Sequence, residues 1–71
     1  MKAKEMFEKL GYKINETEYY IEYLKETYYI QFWKNKFFAI TFHSLSGTQS
    51  VNKQELQAIN KQVEELGWNN E

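Results

Sequence analysis

Few residues in this chain are of a type that does chemistry. The single histidine is His43, with Ser44 and Ser46 close behind it. A histidine acting as general base needs a nucleophile within hydrogen-bond reach and a third group to orient its ring. The serines are near in sequence. Nothing meets the second, because the chain has no Asp and no pattern places a Glu beside His43. As a metal ligand His43 lacks companions at ligand spacing, and there is no cysteine. The plain reading is an exposed histidine near a strand end. The acids are ten glutamates. A glycosidase-type pair needs two carboxylates at a fixed separation across a cleft. These are scattered instead, with Glu5 and Glu8 on one helix surface and Glu64 and Glu65 on another, so solvated faces account for them. Ser44-Leu45-Ser46-Gly47-Thr48 precedes a helix, and helix starts bind anions. One glycine with no matching lysine is not a P-loop, however, and the stretch reads as a connector. The expectation is a protein that is not an enzyme, with no catalytic residue, no cofactor and no metal.

The whole chain bounds the remaining options. At 71 residues and 8.7 kDa it is one domain, residues 1–71. Hydrophobic residues make up 42% and charged residues 27%, a globular rather than a disordered balance. A formal charge of -1 and a pI near 5.8 argue against electrostatically driven binding to nucleic acid or a membrane surface. Every base but His43 is Lys, and Arg, the preferred bidentate reader of phosphate and guanine, is absent. No apolar run approaches the roughly 18 residues of a membrane helix, and the N-terminus lacks a signal-peptide core. A domain of this size buries only about 60% of its unfolded surface. With no disulfide, its two Trp, six Tyr and five Phe must supply much of the packing.

The elements follow from spacing. Ala3, Met6, Phe7 and Leu10 recur at helical intervals, and Gly11 sits where a left-handed cap ends a helix. Tyr12 then lands where a Schellman motif places its apolar contact, with Phe7 as partner. Residues 12–43 read as strands: a stub at Tyr12 and Ile14, then alternations through Tyr19-Ile21-Tyr23, Tyr28-Ile30-Phe32 and Phe38-Ile40-Phe42. A two-residue turn at Glu26-Thr27 sets Tyr23 opposite Ile30. A three-residue turn at Lys34-Asn35-Lys36 sets Phe32 opposite Phe38, and leaves Lys36 at a left-handed position that glycine would suit better. A loop over residues 15–18 sets Ile14 opposite Tyr19. All three pairings put the apolar sets on one face. Residues 44–50 read as a polar loop, or as a turn at Ser46-Gly47 followed by a short edge strand from Thr48 to Val51. Asn52 and Glu55 form a capping box, with Val51 and Leu56 as the staple pair. Leu56, Ile59, Val63 and Leu66 make an apolar stripe with Ala58 beside it, and Gly67 caps the end so that Trp68 folds back on Val63.

The expected fold is α+β: a helix, an antiparallel β-meander of three to four strands, and a helix, with the helices packed on the sheet. Its core would be Phe7, Leu10, the inward strand residues, Leu56, Ile59, Val63 and Leu66. Two helices side by side would cover one face; one helix on each face is the alternative.

Two resemblances bear on function. Val51-Asn52-Lys53-Gln54-Glu55-Leu56, Ala58-Ile59 and Glu65-Leu66-Gly67-Trp68, with Ala3-Lys4-Glu5-Met6-Phe7 and Leu10-Gly11-Tyr12, resemble small uncharacterised proteins of phages and prophages of low-GC Gram-positive bacteria. The resemblance covers about half the chain and implies a cytoplasmic, non-enzymatic accessory protein. The element order alone is similar to the double-stranded RNA-binding domain. That family uses a basic start to its second helix, whereas the second helix here opens Asn52-Lys53-Gln54-Glu55.

The register leaves one prominent surface. On the side opposite the apolar set, Tyr20, Trp33 and Phe37 form one row and Leu24, Tyr29 and Thr41 another. Glu22, Gln31 and Ala39 lie between them. Contiguous apolar patches usually mark interaction sites, and Tyr and Trp are favoured anchors. Tyr20, Leu24, Tyr29, Trp33 and Phe37 are thus the candidate interaction face, for an unknown protein partner or for self-association as a homodimer. The alternatives are burial of this face under a helix, and base stacking by a nucleic-acid-binding domain, which would need a basic groove. Here Lys13, Lys34 and Lys36 are offset by Glu18, Glu22 and Glu26.

Overall fold

The computed structural model describes residues 1–26, 28–42 and 51–68, apart from the side chains of Tyr28 and Phe42. The elements run α1 (Ala3–Lys9), β1 (Lys13–Glu16), β2 (Tyr20–Lys25), β3 (Tyr28–Trp33), β4 (Phe38–Phe42) and α2 (Lys53–Glu65). The strands form one antiparallel sheet in the order β1-β2-β3-β4. The described residues form an α+β meander of four strands flanked in sequence by two helices. Residues 43–50 lie outside the described residues, and with them His43, the connector and the edge strand considered from Thr48.

Two of the three hairpins have the register read from parity. Tyr23 faces Ile30 and Ile21 faces Phe32; Phe32 faces Phe38 and Ile30 faces Ile40. The turn after β3 bends at Lys36, whose φ is 72°. The Trp33 carbonyl accepts from Lys36 N at 2.9 Å, and Trp33 N donates to the Phe37 carbonyl at 2.8 Å. A lysine therefore holds the left-handed position.

The first hairpin departs from expectation. Ile14 faces Tyr23, not Tyr19, so the strand slides by four residues while keeping its face. The cause is local. Thr17 Oγ1 accepts from both Tyr19 N and Tyr20 N at 3.1 Å, and Thr17 N donates to the Tyr20 carbonyl at 2.9 Å. The threonine side chain tightens the turn onto Glu18-Tyr19. Tyr19 leaves the sheet and is 64% exposed.

Both helices lie on the Tyr23–Phe32 side of the sheet. Phe7 of α1 stacks on Tyr23 with ring centroids 3.8 Å apart, and meets Tyr12 edge-on at 5.3 Å. The Tyr12 contact belongs to the Schellman cap: Tyr12 N donates to the Phe7 carbonyl, Gly11 N to the Glu8 carbonyl, and Gly11 has φ 93°. Trp68, following Gly67, packs on Phe32 at 6.3 Å. The core is Phe7, Tyr12, Ile21, Tyr23, Ile30, Phe32, Ala58 and Ile59, bordered by Met6, Leu10, Ile40, Val51, Val63, Leu66 and Trp68.

Helix α2 presents a different stripe from the one its hydrophobicity suggests. Leu56 is 52% exposed, and the buried positions are Glu55, Ala58, Ile59 and Gln62. Two sheet-side phenols dictate this rotation. Tyr12 Oη donates to Glu55 Oε2, and Tyr23 Oη donates to Gln62 Oε1 at 2.5 Å. A buried hydroxyl left without an acceptor costs more than an exposed leucine. The capping box is intact, with Glu55 N donating to Asn52 Oδ1 at 2.8 Å and Asn52 N to Glu55 Oε1 at 3.0 Å. Glu55 thus caps the start of α2 and anchors Tyr12 at once.

Helix α1 is seven residues long and has no side-chain cap of its own. Its first amide is satisfied from afar: Ala3 N donates to Glu65 Oε2 at 2.8 Å. The carboxylate sits at the positive end of the α1 dipole, where negative charge is favoured.

Candidate interaction face

The outer face of the sheet carries the residues read as a candidate site. Tyr20 pairs with Trp33 across β2 and β3, with ring centroids 4.7 Å apart. Leu24 pairs with Tyr29, and Tyr29 with Thr41. Phe37 enters at the start of β4 and is 66% exposed. Tyr20, Leu24, Tyr29 and Trp33 are half-buried. The rows expected from parity are therefore the rows present. Among the described residues, no helix lies on this side.

A polar ladder divides the two rows. Asn15, Glu22, Gln31 and Ala39 are successive cross-strand partners. Gln31 Nε2 donates to Glu22 Oε2 at 2.6 Å, and Asn15 Nδ2 donates to Glu22 Oε1 at 3.3 Å. Trp33 Nε1 completes the chain by donating to Gln31 Oε1 at 3.2 Å. Glu22 is only 8% exposed, which corrects the expectation that all glutamates lie on solvated faces; Glu55, at 3%, is the other exception. Amide donors to both carboxylate oxygens let a charge sit between two aromatic rows. The ladder also fixes the Trp33 ring, because its N–H has one assigned acceptor.

The exposed aromatic weight lies at one end of the sheet. The Glu18-Tyr19 turn and the Lys34–Lys36 turn meet there, joined by Lys34 N donating to the Tyr19 carbonyl at 2.8 Å. Between them opens a shallow depression lined by Glu18, Tyr19, Trp33, Lys34 and Asn35. Phe38, on the opposite face beside Phe32, is 44% exposed. Sequence reasoning missed Tyr19 and Phe38 as surface residues. Thr17 was the available signal for the first, since a threonine before a polar turn residue favours a side-chain-stapled turn.

Among the described residues no cluster of three or more His, Cys, Asp or Glu is placed to hold a metal ion, and no helix is long and apolar enough to cross a membrane. The buried phenol of Tyr23 serves packing. Its burial, and then the charges of Glu65, Glu16 and Glu8, push its pKa well above the ordinary phenol range.

The fold and face together define a small α+β domain with a two-helix layer on one side of a meander and an aromatic surface on the other. No protein family, curated protein or solved structure matches this chain.

Proposed function

We propose that this chain is a non-catalytic binding module that engages a protein through the outer face of its sheet. The observation that carries this reading is the Tyr20–Trp33–Phe37 row, half-buried to exposed on the side away from both helices. Large rings held rigid by neighbours and by a polar ladder lose little entropy on binding. We place the module in the setting that the sequence resemblance implies, a cytoplasmic accessory protein of the phage or prophage type.

The test is Trp33→Ala. The variant should keep its helical and strand signal by circular dichroism and lose at least about tenfold in affinity for a captured protein partner. An unfolded variant would instead assign Trp33 to the packing of the monomer. Binding of a nucleic acid that weakens steeply with salt would replace the protein partner by base stacking on the same row.

A further inference from the structure

Glu22 stands at the centre of the outer face. On β2 it lies two residues from Tyr20 and two from Leu24, opposite Gln31, with Trp33 and Tyr29 as its diagonal neighbours. Both carboxylate oxygens accept from amides, Oε2 from Gln31 Nε2 at 2.6 Å and Oε1 from Asn15 Nδ2 at 3.3 Å. These donors are neutral. Among the described residues no cation pairs with Glu22: Lys4 goes to Glu16 and Lys61 to Glu64. Lys13, on the same face of β1, stands opposite Leu24 and makes no bridge to Glu22. Residues 27, 43–50 and 69–71 hold no Lys or Arg. Their one basic residue, His43, follows Phe42, which pairs with Tyr28, three positions along β3 from the Gln31–Ala39 pair beside Glu22.

A carboxylate shielded from water and given no counter-charge is costly to hold. It offers about four acceptor sites, of which the amides fill two. The rings around it favour positive charge as well, because the faces of Trp and Tyr attract cations. The charge of the site therefore selects its occupant. We propose, resting on the protein-binding reading above, that the partner presents an arginine whose guanidinium lies over Glu22 between the two rows. A planar guanidinium can donate two N–H groups to a carboxylate and stack on an aromatic face at once, which an ammonium cannot. This chain has no arginine, so the contact calls for a foreign protein rather than a second copy. Glu22 retains 8% of its surface, which the contact would close.

The probe is the blocked tripeptide Ala-Arg-Ala, followed by NMR through the Trp33 indole N–H and the Gln31 side-chain amide. Both signals should shift saturably. The same peptide with citrulline, neutral and of the same shape, should bind at least about tenfold more weakly. Glu22→Gln removes the charge but keeps an acceptor for Gln31, and should weaken the arginine peptide at least about tenfold as well. Equal binding of the arginine and citrulline peptides overturns the inference. So does binding of neither, or binding of Ala-Lys-Ala as tight as that of Ala-Arg-Ala. Should Glu22→Gln fail to fold, the arginine and citrulline comparison on the unaltered chain decides. The reading of the face is judged separately: a captured protein lost by Trp33→Ala but kept by Glu22→Gln supports the module and counts against the arginine.

Discussion

The two faces of the sheet are built from the same residue types and finished in opposite ways. On the helix side, Phe7, Tyr12, Tyr23 and Phe32 form a closed aromatic cluster. Its hydroxyls end on Glu55 and Gln62 of α2. On the outer side, Tyr20 and Trp33 touch each other, and the polar atoms run sideways along the sheet through Gln31 and Glu22. The first arrangement sends polar groups across the layer and so locks helix to sheet. The second keeps polar groups within the sheet, leaving the ring surfaces for something else. Aromatic content alone does not separate the core face from the outer face; the direction of the hydrogen bonds does.

Substitutions can break or sharpen this contrast. Phe7→Ala removes a fully buried ring that contacts three others, and should cost about 3–5 kcal/mol, enough to unfold much of the population in a urea titration. Trp33→Ala on the outer face should cost only about 1–2 kcal/mol by the same titration. Equal losses would erase the distinction between the faces. Glu55→Ala strips the capping box and leaves the Tyr12 hydroxyl without that acceptor, and should lower stability by about 2 kcal/mol.

Tyr23 adds a pH signature to the helix side. The folded state holds the phenolic proton more tightly than the unfolded chain. This group's stabilisation is therefore complete below the unfolded phenol pKa of about 10 and is lost as pH rises beyond it. Thermal melts should show a decline above that pH which Tyr23→Phe flattens, for a cost of about 1 kcal/mol at neutral pH. The smallest effect should be a gain. Lys36→Gly relieves the left-handed lysine and should stabilise the hairpin by about 0.5–1 kcal/mol, visible as a modest rise in melting temperature.

Much of this was legible in the residues. The turns after β2 and β3, the Schellman cap at Gly11 and the capping box at Asn52 are short-range devices, each written within a few neighbouring positions. The outer rows were legible for the same reason, since parity carries a face across a known turn. What escaped was set by side chains that act at a distance or compete with the backbone. Thr17 moved the β1 register by tightening a turn. Tyr12 and Tyr23 turned α2 so that Glu55 and Gln62 face inward while Leu56 faces out. Glu65 capped a helix 62 residues away. A hydrophobic stripe counts apolar side chains; it does not register the demand of a buried hydroxyl for an acceptor.

That last contact has a temporal meaning. Helix α1 is shorter than the length at which isolated helices hold in water, and the carboxylate that completes its first turn lies at the far end of α2. During synthesis α1 is made before α2, so its cap must wait for residue 65. The hairpins, closing over few residues, can assemble in the meantime. Helix α1 therefore gains this cap only after α2 has been made. Until residue 65 arrives, the Ala3 amide lacks the carboxylate to which it donates.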